Sequence, residues 1–157
     1  MTTTARETIV LSGLHEDDVV RVLVEQHELI RQSFGQVRAV SGAARAVAFA
    51  DLAHLLCVHE ALEEEFLRPV TAEIGELDIA RARLSEELRA ESALARCKGL
   101  DAESDEFELA LGQLQAAVLD HAGMEEAEEL PALLAAVDEA RRRDLGRAVR
   151  FGAAEGL

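Results

Sequence analysis

The sequence predicts an all-α protein: an antiparallel up-down-up-down four-helix bundle with a short C-terminal helical tail. Three observations carry that expectation. Ala, Leu, Glu and Arg dominate the composition, and all are strong helix formers. Two prolines and ten glycines in 157 residues leave few breaks. No window alternates apolar and polar residues as a half-buried strand does. Four long helical stretches with short connections favour antiparallel neighbours. The length suits a single domain over residues 1–157, with its core at about 17–133. Hydrophobic residues make up 49 % of the chain, and without Trp or Tyr the interior must be aliphatic apart from five Phe.

The elements follow in order. Residues 1–13 read as a loosely held lead-in. Asp17 or Asp18 caps a first helix whose apolar stripe is Val19, Val20, Leu23, Ile30 and Phe34. Gly35 or Ser41-Gly42 ends it. A second helix is expected from about Ala43 to Pro69, with Leu52, Leu55, Leu56, Leu62 and Phe66 inward. The third is expected from about Ile79 to Cys97, with Leu84, Leu88 and Leu94 inward, and Lys98-Gly99 supplies a C-terminal stop. After an acidic loop, Ser104 or Asp105 caps a fourth helix from about Glu106 to Glu129, carrying Phe107, Leu111, Leu114, Val118 and Leu119. A helical tail from Ala132 to about Arg150 follows Pro131 and carries Arg141-Arg142-Arg143.

Charge narrows the function. A net charge of −15 opposes nucleic acid, whose phosphates need clustered Lys and Arg, and opposes anionic membrane surfaces equally. No apolar run approaches the roughly 20 residues of a membrane span. The opening Met1-Thr-Thr-Thr-Ala-Arg-Glu7 lacks the plan of a secretory signal, so the cytoplasm is the expected compartment. Cys57 and Cys97 have no CxxC spacing and read as reduced thiols.

Two segments carry the chemistry. His59-Glu-Ala-Leu-Glu63-Glu64 and His121-Ala-Gly-Met-Glu125-Glu126 each place Glu four and five residues after a His, and each has its proline ten residues after that His, at Pro69 and Pro131. These are the chain's two prolines, so the match reads as a duplicated two-helix unit. Residues four apart share a helical face with Cβ atoms roughly 6 Å apart, so each His–Glu pair can serve one metal or a bridged pair. Imidazole with carboxylate suits iron, with manganese or zinc as alternatives. One such pair on an acidic helix is usually a solvated contact; two with matched prolines point to a metal. Further ligands must come from other helices, and His27, between Leu23 and Ile30, faces inward on the first. His15 falls in the lead-in. His54 lies about 140° around the helix from His59 and should miss the site.

At these residues the chain resembles the hemerythrin-like family, specifically its HHE cation-binding domains, over about Asp17 to Leu133. The resemblance implies two iron ions bridged by carboxylates and by an oxo or hydroxo group. It implies nitrogen donors at His27, His59 and His121 and bridging carboxylates at Glu63 and Glu125. Helix three departs from the family pattern: no His occurs between His59 and His121, the expected position falls near Leu88, and Glu87 or Glu91 is the substitute. Their competing reading is an exposed acidic face. Harder oxygen donors favour oxidised iron, which makes reversible oxygen carriage less expected than redox chemistry or sensing. Arg68, before Pro69, is a second departure, because the family often has an aromatic residue there.

The resulting expectation is a di-iron protein that binds or reacts with dioxygen, peroxide or nitric oxide, in sensing, detoxification or iron and redox handling. The alternative is a di-iron oxidase or oxygenase acting on a small organic substrate; either admits an oxidoreductase. A metal-free interaction module is the third reading. Each ligating His should donate its other ring N–H to a carboxylate or carbonyl. Glu64 and Glu126 are candidates for that, but an adjacent helical residue turns roughly 100° away, which favours solvation. The Arg141–Arg143 run pairs with a second copy in a homodimer or is solvated.

Overall fold

A computed structural model describes residues 9 and 11–156. Most of the predicted lead-in lies outside these residues. Its described end is not loose: Leu11–Gly13 form a 3₁₀ turn, and Ile9 and Leu14 pack on the core.

The described residues are all helical, with no strand: α1 (Val19–Ala39), α2 (Gly42–Leu62), α3 (Arg68–Glu73), α4 (Leu77–Lys98), α5 (Asp105–Met124), α6 (Leu130–Ala136) and α7 (Glu139–Glu155). Five-residue π-helical turns, Glu63–Leu67 and Glu125–Glu129, join α2 to α3 and α5 to α6. Neither proline therefore ends its helix. In each case the residue just before the proline, Arg68 or Leu130, bonds its N–H to the carbonyl five residues back. The proline then occupies the first turn of the next α-segment, where its missing N–H costs least. The predicted second helix thus runs on to Glu73 and the fourth to Ala136. The tail helix is broken at Val137-Asp138, where Asp138 caps α7 by accepting from the Arg141 N–H at 2.9 Å.

Asp18 is the cap of α1, accepting from the Val20 N–H at 3.1 Å, and Ser104 is the cap of α5, accepting from Phe107 at 3.1 Å. Gly35 does not stop α1. The chain turns instead through Gly42, whose φ of +61° suits glycine. The predicted α1 stripe is buried throughout. On α4 the expected phase was wrong: Leu84 and Leu88 are exposed, while Arg83, Glu87, Ala90, Leu94 and Cys97 turn inward. The buried stripe keeps the expected Leu94 but lies one residue, about 100°, from Leu84 and Leu88.

α1 packs on α2 and α4 on α5, while α7 lies across α1. That docking is close at Gly146, where a Cβ would meet the Asp17 carbonyl oxygen at 1.7 Å. Arg141 pairs with Glu73 at 2.7 Å and Arg142 with Asp18 at 2.8 Å. Arg141 and Arg142 of the basic run thus pair within the chain and tether α7. Cys57 is exposed, Cys97 is buried, and both are free. No helix among the described residues is long and apolar enough to cross a membrane.

The apolar interior divides into two clusters. One holds Ile30, Phe34, Leu56, Ala90 and Val118; the other holds Leu23, Leu62, Leu67, Leu130 and Val149. α1, α2 and α5 with α6 cross from one to the other through His27, His59 after Leu56, and His121 after Val118, and on α4 Glu87 borders the first cluster ahead of Ala90. A buried polar layer separates the two halves.

Candidate metal centre

That layer gathers His27, His59, Glu63, Glu87, His121 and Glu125, all buried. Two donor groups are compact enough to hold a cation: His27, His59, Glu63 and Glu125, and Glu63, Glu87 and His121. Glu91 is not among them; it is exposed on α4 beside a surface groove with Cys57, Glu64 and Lys98. His54 is exposed on α2, away from the layer.

The three imidazoles are oriented alike. Nδ1 of His27 lies 2.8 Å from Glu126 Oε1, that of His59 lies 2.8 Å from Gln26 Oε1, and that of His121 lies 3.0 Å from Glu86 Oε2. These oxygens only accept, so each Nδ1 carries a proton and donates it, leaving the Nε2 lone pair facing inward. The expected solvation holds for Glu64, which is exposed, but not for Glu126. Glu126 reaches His27 on α1, a contact between helices that the local 100° argument did not include. Behind His121, the fully buried Arg83 donates to Glu86 at 2.9 Å and holds it in place.

Inside the ring of Nδ1 anchors, acceptors face acceptors. His59 Nε2 is 2.8 Å from Glu63 Oε1. His27 Nε2 is 3.3 Å from Glu125 Oε2, and His121 Nε2 is 3.4 Å from Glu63 Oε2 and 3.7 Å from Glu125 Oε2. Buried atoms without a hydrogen-bond partner concentrate here: His27 Nε2, Glu63 Oε1, both Glu125 oxygens and Glu87 Oε2. Unpaired buried acceptors are costly, and a cation at their focus satisfies them together. The donor set fits a metal.

Without a metal, protons take its place. Burial opposes charge on His27, but Glu125, Glu126 and Glu63 outweigh it and hold the imidazole well above its usual range. His121 is raised to about 9 the same way, by Glu63, Glu125 and Glu86 against its burial. Burial would push Glu63 up, yet the three histidines hold it well below the usual carboxylate range. Burial and the nearby Glu63 and Glu87 raise Glu60 to about 7.

A family model, the Hemerythrin HHE cation binding domain, matches residues 18–140. The chain belongs to the hemerythrin family. Among curated proteins and solved structures nothing matched. In this hemerythrin domain the α4 carboxylate that faces the buried layer is Glu87, whose Oε1 lies 3.8 Å from His121 Nε2.

Several members of this hemerythrin centre were not legible in sequence. Gln26 and Glu86 act across helices, and no spacing announces them; Arg83 acts on Glu86 from within α4, three residues away. Arg68 stood out only as a departure from the family pattern; it proves to be the one guanidinium in contact with Glu63, Glu87, Glu125 and Glu129 among the described residues. Glu129, four residues beyond Glu125 and therefore on its face, was the one that spacing could have found.

Proposed function

We propose that this hemerythrin-domain protein is a non-haem iron protein that binds or reacts with dioxygen, peroxide or nitric oxide, in sensing, detoxification or redox handling. Its donors would hold two iron ions, with Glu63 and Glu125 as the carboxylates available to both. His27 and His59 serve one position, His121 and Glu87 the other. Iron supplies a redox-active Lewis acid with room for a small ligand. The bundle reads as up-down-up-down, which brings the donors of four helices to one level. Its expected setting is the cytoplasm.

The observation that carries the reading is the space beside the donors. Ile30, Leu56, Ala90, Val118 and Ala122, with the three imidazoles and Glu60, line an apolar cavity of about 10 Å³. That is room for about one water-sized molecule. Space of that order favours a ligand of one or two heavy atoms over an organic substrate. The apolar walls keep bulk water from the donors and disfavour charged ligands. Gln26, Glu86 and Glu126 fix the imidazoles by holding the Nδ1 protons. Glu60, half-buried at the cavity wall and titrating near neutrality, can give or take a proton there.

The test is reactivity against cavity size. Iron-loaded protein should react with nitric oxide or peroxide without an organic co-substrate, and Ala90→Leu should slow that reaction about tenfold or more while keeping its iron. Oxygen consumption that depends on one added metabolite would replace this reading with the oxidase.

A further inference from the structure

We infer that Arg68 holds the second cation position closed, so that the centre takes its metal ions unequally, one tightly and a second only against the guanidinium. The inference rests on the metal-binding reading above and concerns how many ions the donors can serve.

The two bridging carboxylates divide their oxygens. Glu63 Oε1 faces His59 at 2.8 Å and His27 at 3.8 Å, whereas its Oε2 faces His121 at 3.4 Å and Arg68 Nη2 at 3.3 Å. Glu125 Oε2 faces His27, while its Oε1 lies 3.7 Å from Arg68 Nη1. Arg68 Nη2 also donates to Glu87 Oε1. The second donor set is Glu63, Glu87 and His121, and two of its three members are thus already bonded to a cation. The first set has no such occupant. Its His27 Nε2, Glu63 Oε1 and Glu125 Oε2 are among the unpaired buried atoms. A metal between Glu63 and Glu87 stands against Nη2, from which Glu63 Oε2 and Glu87 Oε1 now accept, with only Glu87 Oε2 left unpaired on that side. The metal and the guanidinium compete for one place.

Arg68 is not free to withdraw. Its side chain is 11 % exposed, and Nη1 donates to both oxygens of Glu129, at 2.9 and 2.8 Å. Glu129 is fully buried and also accepts from Thr71 at 2.5 Å. Nor does titration remove the charge, because a guanidinium stays protonated across accessible pH.

The duplicated unit gives an internal comparison. Arg68 stands nine residues after His59, where the second copy has Leu130; Glu129 stands eight after His121, where the first copy has Leu67. Both leucines are fully buried. Apolar residues therefore fill these two positions without difficulty elsewhere in the same fold, and hydrophobic replacement of a buried ion pair is often neutral or stabilising. The Arg68–Glu129 pair breaks the internal symmetry on the side of the second donor set. A fixed positive charge there does for Glu63, Glu87 and Glu125 part of what a second metal ion would do.

The test is metal stoichiometry. Chelator-stripped full-length protein is dialysed anaerobically against ferrous iron, with circular dichroism to confirm folding. The wild type should hold about one iron per chain, with the second weaker by tenfold or more. Arg68→Met, neutral and of similar length, should take up the second equivalent. Two equivalents of equal affinity in the wild type overturn the inference, and so does a folded Arg68→Met that still stops at one. If Arg68→Met does not fold, the wild-type count decides alone. No iron bound by either protein defeats the metal reading itself, an outcome distinct from a count of two.

Discussion

His59 Nε2 and Glu63 Oε1 stand 2.8 Å apart, one helical turn from each other, at the point where α2 passes into its π-helical turn. The two atoms lie within reach of a single cation. His59→Ala and His121→Ala should therefore lose most of the bound iron and the stabilisation it confers, about 3 kcal/mol at a metal concentration one hundred times the dissociation constant. His54→Ala should keep both, since His54 is exposed on another face of α2. Iron analysis with thermal melts decides it, and loss of iron from the His54 variant alone would invert the helical phase.

The Nδ1 acceptors make a separate prediction. Gln26→Ala frees the His59 ring and Glu126→Ala that of His27, while every donor atom remains. Each should weaken metal binding about 10- to 100-fold with little change in fold. Competition with a chromophoric chelator measures it; wild-type affinity in both variants would mean the rings are held by packing alone.

Acidity should act in opposite directions on the two forms. His121 titrates at about 9 in the folded metal-free chain against an ordinary 6.5. Its contribution to folding is therefore complete below about pH 6.5 and lost as pH rises through about 9. Glu60 and Glu129, raised to about 7 chiefly by burial, hold protons longer when folded and add a loss between about pH 4.5 and 7. Metal-free protein should lose on the order of 3 kcal/mol between pH 6 and 9.5, or roughly 6–12 °C in Tm. Metal must displace the same protons, so the gain in Tm on loading should widen over that window. Melts at both ends settle the sign, and a metal-free Tm that rises with pH contradicts it.

Gly146 tests the docking of α7. A Cβ there meets the Asp17 carbonyl at 1.7 Å, backbone against backbone, with no flexible side chain to yield. Gly146→Ala should destabilise by about 3 kcal/mol, whereas Gly112→Ala, in open space on α5, should not. Denaturant unfolding of the two variants compares them directly.

Sequence by itself determined the helical class, the stripe of α1 and the shared faces of His59 with Glu63 and of His121 with Glu125, because these follow from periodicity and the repeated His–Glu–Pro spacing, which are local; that His27 joins them was implied by the family resemblance. It misplaced the ends of the second and fourth helices, since a π turn ahead of each proline absorbs the break that the proline alone predicts. It misplaced the inward face of the first half of α4, where the buried stripe lies one residue away from Leu84 and Leu88, and placed Leu94 correctly. Tertiary structure alone decided the rest: Glu87 buried rather than Glu91, Gln26, Glu86 and Glu126 behind the histidines, and Arg68 among the carboxylates. Each of these depends on which residues of separate helices stand at the same height. Short-range spacing along one helix fixes a side chain's direction, but its partner across the core is chosen only when the helices pack.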